Sequence, residues 1–405
     1  MICEQQPTGP RSKPAFSREL LAGLRWSLVA CALASAGCSA LRLTGITATQ
    51  QKPSNVAVYF KVENAAGDPI PNLSAENFRI FEDGQLVSSS ESQQTLLDPD
   101  TAAAHYTLLL VDMSGKVIAG GDNEVIPQAV SAFTVRVERH ERVAIYAFDG
   151  SENIYPVVPF TPSEPRGSAR AGARQLATFK PKDPSTNLNG AVVKALDELS
   201  AALGRANQAL RFGTLVVVAE GADRASRVST PDMERRVRES PFDVYAVGLG
   251  GTTTEADLKG IGKNGVAMAA DRDAILKALD DVGTKIESRA KSYYLVSYCS
   301  PARAGRHDVR VEAAFKDSEG DKSGSFDSHF DATGFAPGCD PSAPPTFESN
   351  FDPTRRDGIA RSQDDDKRTV RAAPKAAPKP PKSGTTNTAE SLPPPPPPGQ
   401  QEFVP

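Results

Sequence analysis

Five uninterrupted apolar runs organise the middle of the chain: 107–111 (TLLLV), 143–148 (VAIYAF), 214–218 (TLVVV), 244–249 (VYAVGL) and 266–270 (VAMAA). A strand that is apolar at every position has both faces covered, as in a parallel sheet enclosed between helices. Helices are legible between the runs as stripes at three- and four-residue spacing. They are Ile126, Val130, Phe133 and Val137; Val192, Leu196, Leu199 and Leu203; and Ile275, Leu279, Val282 and Ile286. This alternation predicts βαβ units and an α/β, doubly wound, mostly parallel sheet over 104–290.

Period-two patterning lies on either side of that segment. Val56, Val58 and Phe60 alternate with Ala57, Tyr59 and Lys61 until Gly67-Asp68-Pro69 breaks the run. Phe78-Arg79-Ile80-Phe81 then meets an Asp83-Gly84 turn before Gln85-Leu86-Val87 resumes, giving an N-terminal β module at 53–98. After 290, SYYLVSYCS and HDVRVEAAF alternate again and SGSFDSHFDAT supplies a third strand, defining a C-terminal β unit at 291–340. Neither region alone supplies two good sheets, so the two are expected to pack together as one sandwich. Residues 39–52 are polar and aperiodic and read as a tether. Residues 346–405, rich in Pro, Lys, Ala, Ser and Asp, cannot bury enough apolar surface to fold and are expected to be a disordered tail with polyproline character. The other reading of that tail is a ligand for a proline-binding partner or a cell-wall spacer.

The amino terminus adds a destination. Arg11, Lys13, Arg18 and Arg25 precede WSLVACALASAGC, an apolar stretch too short to span a bilayer, so residues 1–38 read as an export signal. Ser35-Ala36-Gly37-Cys38 resembles a bacterial lipoprotein lipobox, with Ser35 where Leu or Val is usual. The resemblance implies lipidation of Cys38 and a lipid-anchored place in the cell envelope, with the outer membrane favoured because Ser39 gives no retention signal. Ordinary signal cleavage nearby is the alternative. Of five cysteines, Cys3 and Cys31 leave with the signal and Cys38 takes the lipid. Cys299 and Cys339 then remain as an even pair, expected to form a disulfide in an oxidising envelope. No later apolar run is long enough for a transmembrane helix. The formal net charge of -4 gives no global basic surplus, so nucleic acid is not the expected partner.

Candidate chemistry begins where the first buried run ends. Asp112 follows TLLLV and Ser114 lies two residues on, at the end of a strand where open α/β sheets bind ligands. In this setting the segment resembles the von Willebrand factor type A domain, whose metal-ion-dependent adhesion site is Asp-x-Ser-x-Ser on one loop, Thr on a second and Asp on a third. The resemblance covers roughly half the chain. It implies a Rossmann-like fold, protein binding or adhesion through the carboxyl-edge loops, and Mg²⁺ or Mn²⁺ held by oxygen ligands. Asp112 and Ser114 match, and Thr186 in DPSTNLNGAV matches the second-loop Thr.

Two positions depart from the pattern. Lys116 stands in place of the second Ser, and Glu220 in VVVAEGAD stands where Asp is usual. An ammonium has three donors and no acceptor, so Lys116 is expected to repel a divalent ion and act as an internal cation toward Asp112 and Glu220. The other readings are a solvent-facing Lys116 with weak metal binding retained, and a Glu220 that reaches the ion directly or through water. The expected site is therefore a degenerate one.

No enzyme is expected. His105, His140, His307 and His329 show no metal-ligand spacing and read as surface or edge residues, and no G-x-S-x-G elbow surrounds Ser114. Phosphotransfer at Asp112 beside a lysine is the rival from another class, disfavoured because the envelope offers no ready phosphodonor pool. The expected partner is an unidentified envelope or extracellular protein, with no small-molecule substrate. The alternative is an assembly scaffold whose tail makes the main contacts.

Overall fold

The computed structural model describes residues 41–351 apart from 122–123, 162–168, 251–252 and 319. The export signal, Cys38 and residues 352–405 of the tail lie outside the described residues. The disordered tail expected from 346 is corrected at its start: Phe347 and Phe351 are buried and Asn350 Oδ1 accepts the Arg211 N–H at 2.8 Å, because these two aromatic side chains find apolar cores to enter.

The apolar runs form a six-stranded sheet. Its strands are β6 (Ala103–Asp112), β7 (Arg142–Phe148), β8 (Tyr155–Val158), β9 (Leu210–Ala219), β10 (Asp243–Leu249) and β11 (Gly265–Ala269). Their spatial order is β11-β10-β9-β6-β7-β8, parallel throughout except for β8, which runs antiparallel to β7 at one edge. Helices cover both faces: α1 (Gly115–Gly120), α2 (Ile126–Val137), α3 (Ala169–Gly172), α4 (Leu188–Gly204), α5 (Thr230–Glu239), α6 (Glu255–Lys259) and α7 (Arg272–Ala290). The continuous apolar pattern of β6 follows from this arrangement. Leu108 and Leu110 enter a core shared with α4 and α5, while Leu109 and Val111 enter the opposite one with α2 and α7. At the far edge β11 has one open side, and Met268 is exposed.

The remaining strands make two antiparallel sheets. One has the order β1-β2-β12-β5, from β1 (Arg42–Gln51), β2 (Asn55–Glu63), β12 (Tyr293–Cys299) and β5 (Thr95–Leu97). The other has the order β14-β13-β3-β4, from β14 (Gly320–Asp331), β13 (Arg306–Asp317), β3 (Phe78–Glu82) and β4 (Gln85–Leu86). Each sheet therefore takes strands from both sides of the α/β segment. Val58 and Phe60 of β2, Val296 and Tyr298 of β12, Ile80 of β3 and Val311 of β13 share one core. A disulfide joins Cys299 to Cys339, with an S–S distance of 2.07 Å.

The tether expected at 39–52 is corrected. Arg42–Gln51 is strand β1, paired antiparallel with β2 from Arg42↔Glu63 to Gln51↔Asn55. It reads as polar because it is an edge strand that buries little beyond Leu43, while its threonines suit an extended backbone. Gly45 lets it lie close to β14, since a Cβ there would come within 2.6 Å of the Phe326 ring. His105 is likewise interior, stacked on Phe212 with its Nε2 3.3 Å from the Tyr59 hydroxyl.

Among the described residues, no helix is long and apolar enough to cross a membrane.

Candidate functional site

The strand order reverses between β6 and β9, since the chain continues from β6 outward through β7 on one side and through β9 on the other. Such a switch point opens a crevice at the carboxyl ends of the two strands. Asp112 ends β6 and Glu220 follows the last residue of β9.

Asp112 is fully buried. Its Oδ1 accepts the Ser114 N–H at 2.9 Å and its Oδ2 accepts the Glu220 N–H at 3.1 Å. The carboxylate thus ties the two loops together. Burial pushes its pKa up to about 6, against the opposing pull of those two N–H groups. Ser114 occupies the residue before α1 and is also fully buried; its Oγ lies close enough to Asp112 to favour the charged carboxylate but makes no hydrogen bond of good geometry. Lys116, in the first turn of α1, reaches Glu220 with Nζ 2.9 Å from Oε1. The other oxygen of Glu220, Oε2, is buried without a partner.

The neighbouring loops close around this group. The Gly115 N–H donates to the Pro184 carbonyl at 3.1 Å, and a Cβ on Gly115 would come within 2.8 Å of Pro184 Cβ. Glycine is therefore what lets the first loop meet the second. Thr186 is buried just before α4, and its carbonyl accepts the N–H groups of Arg224 and Ala225, joining the second loop to the third. Asn187 caps α4 by accepting the Gly190 N–H. On the far side, Gly221 donates its N–H to Thr253 Oγ1 at 2.7 Å, and that hydroxyl donates to the Leu249 carbonyl at 2.8 Å.

Of the residues singled out from sequence, Asp112, Ser114, Lys116 and Glu220 come together directly, and Thr186 joins through its backbone. The ion pair of Lys116 is to Glu220, while Asp112 is met by backbone donors. Two contributors were missed. Asp149, fully buried after β7, accepts N–H groups from Ser151 at 2.8 Å and Lys182 at 2.7 Å, fixing the second loop. Its signal was present, an Asp directly after the buried run VAIYAF, as Asp112 follows TLLLV. Thr253 had no comparable signal.

With Lys116 in place, the charges of this group do not favour a divalent ion. Water can supply several of the six oxygens such an ion takes, but the Lys116 ammonium, 2.9 Å from Glu220 Oε1, sets a positive charge against it. Ser114 Oγ and Glu220 Oε2 are the open donors in this group. Among the described residues, no group of three or more His, Cys, Asp or Glu is arranged to hold a metal.

No family model matches the chain, and no curated protein matches it. Solved structures do resemble it. A von Willebrand factor type A protein from Catenulispora acidiphila is 11% identical, with 71% of this chain and 72% of that one covered and a TM-score of 0.40. Proximal thread matrix protein 1 of the mussel byssus, with a zinc-occupied MIDAS motif, is 14% identical over 45% of this chain and 48% of that one, with a TM-score of 0.39. The pilus adhesin SpaC of Lactobacillus rhamnosus GG is 9% identical over 72% of this chain and 48% of that one, with a TM-score of 0.34. The match to the last two spans about half of their length.

Proposed function

We propose that this protein is a binding module of the cell envelope, lipid-anchored through Cys38, that takes a protein partner on the loops at the carboxyl edge of its six-stranded sheet. It works without a divalent ion, with Lys116 as the cation that balances Glu220. The observation that carries this reading is the pair of buried, unpartnered oxygens, Ser114 Oγ and Glu220 Oε2, at the switch point between β6 and β9. Buried polar atoms are ordinarily satisfied, so two orphans at the place where this architecture binds ligands favour recognition there.

The test compares capture of envelope proteins by the wild-type chain, by Lys116→Glu and by a chain lacking residues 352–405. The wild type is expected to hold a partner in EDTA, Lys116→Glu to lose it and the shortened chain to keep it. If the shortened chain loses every partner while Lys116→Glu keeps them, the protein is a scaffold that works through its tail.

A further inference from the structure

The β sandwich has a concavity of its own, apart from the carboxyl-edge loops. A cleft of about 680 Å³ opens where β4, the end of β12 and the Cys299–Cys339 disulfide converge. That volume suits a ligand group enclosed on several sides.

One wall is the edge of a sheet. Strand β4 ends the order β14-β13-β3-β4. The Val87 N–H donates to the Ile80 carbonyl at 2.9 Å, so those two residues form a hydrogen-bonded pair. The adjacent Phe81↔Leu86 pair is then of the alternate kind, whose N–H and C=O point away from the partner strand. Leu86 consequently turns its backbone outward. Its side chain is 61% exposed, more than any other large apolar side chain among the described residues. An open strand edge beside an exposed leucine is a template for another extended chain.

The floor is polar. Ser92 is buried at 4% exposure, and while its carbonyl accepts the Cys299 N–H at 2.8 Å, its Oγ has no partner. Glu82 is also buried and accepts a hydrogen bond from the Tyr298 hydroxyl at 2.8 Å. The charges around the cleft are three carboxylates, Glu82, Asp83 and Glu91, against Arg303 and His307. His307 Nδ1 lies 2.7 Å from Asp83 Oδ2, so these two offset each other. Arg303 is left against Glu82 and Glu91, so the lining carries a negative surplus with or without a proton on His307.

We propose that this cleft binds an extended segment of a partner protein, which pairs with the outer edge of β4 at Leu86 and sends one lysine or arginine side chain to the floor at Glu82 and Ser92. A cationic side chain offers donors only, matching a carboxylate and a hydroxyl oxygen that both accept. Its charge offsets the surplus. The edge selects an extended main chain, and the floor selects the side chain.

The experiment uses the full chain and two fluorescein-labelled peptides, Thr-Val-Lys-Val-Thr and Thr-Val-Glu-Val-Thr, read by fluorescence anisotropy. The lysine peptide is expected to bind with a Kd below about 1 mM, and the glutamate peptide at least ~10-fold more weakly. Glu82→Gln, which keeps an acceptor for Tyr298, and Leu86→Pro, which removes the outward N–H, should each weaken the lysine peptide ~10-fold. Hydrogen exchange should slow at 85–93 when that peptide is bound. If Glu82→Gln fails to fold, Leu86→Pro on the exposed edge and the exchange pattern decide the matter. The proposal is overturned by no anisotropy rise at about 1 mM protein, by equal binding of the two peptides, or by variants that change nothing. It is also overturned if n-butylamine competes as well as unlabelled peptide, which would reassign the cleft to small amines.

Discussion

Replacing Lys116 by serine tests whether the ammonium does the work of a metal. The Nζ to Oε1 distance of 2.9 Å corresponds to about 6 kcal/mol of attraction at an effective dielectric of 20. That figure is an upper bound, because the lysine side chain is 32% exposed while that of Glu220 is 11% exposed. Solvent screening and the cost of holding a long side chain reduce the net value to about 1–2 kcal/mol. A double-mutant cycle of Lys116→Ser and Glu220→Gln, followed by urea unfolding, should return a coupling of that size. The same variants are then melted in EDTA and in millimolar Mg²⁺ or Mn²⁺. The wild type should be indifferent to the ion. Lys116→Ser removes the repelling charge and adds a hydroxyl, and should rise by a few degrees, since an ion at 100 times its dissociation constant stabilises by about 2.7 kcal/mol. A coupling under about 0.3 kcal/mol would make the pair a solvated surface contact. A serine variant that still ignores both ions would show that lysine is not what excludes them.

Three further outcomes are expected. Burial raises the pKa of Asp112 to about 6 and that of Glu141, which accepts from the Thr107 hydroxyl, to about 7. At these two groups the folded chain holds more protons than the unfolded chain between about pH 4 and 7, so their contribution to stability should fall as pH rises through that window. Urea titrations should show the decline, with Asp112→Asn flattening its lower part and Glu141→Gln its upper part; variants whose pH profiles run parallel to the wild type would contradict it. Gly115→Ala should cost about 1–3 kcal/mol, because the new Cβ must push Pro184 away, and a circular-dichroism melt reads this directly. Removing the Cys299–Cys339 bond by a double serine substitution should cost ~3–4 kcal/mol by chain entropy, measurable as a lower midpoint in urea.

The α/β segment was legible because its physics is local. Strands covered on both faces show it in every residue, and helices such as α4 show it in one stripe. Asp112 and Glu220 could be placed from the ends of those strands. Strand β1 was not legible, because an edge strand with polar neighbours carries little apolar signal and its pairing with β2 is a property of the fold. Thr253 was missed for a related reason. It acts through a hydroxyl that links Gly221 to Leu249, a contact that depends on two loops meeting in space. The orphaned oxygens of Ser114 and Glu220 are likewise invisible in sequence, since lacking a partner is a statement about surroundings.

The interleaving of the two sandwich sheets has a consequence for biogenesis. β2 pairs with β12 through contacts such as Lys61↔Tyr293, so the central pairing of one sheet must wait for the whole α/β segment to be synthesised. Until then β2 presents Val56, Val58 and Phe60 without their partners, an aggregation hazard during synthesis. The α/β segment begins at β6, directly after β5, and ends directly before β12, and β5 pairs with β12 at Leu97↔Leu295. Its folding therefore brings the two halves of the sandwich into register. The α/β segment serves as the template on which the sandwich beside it is assembled.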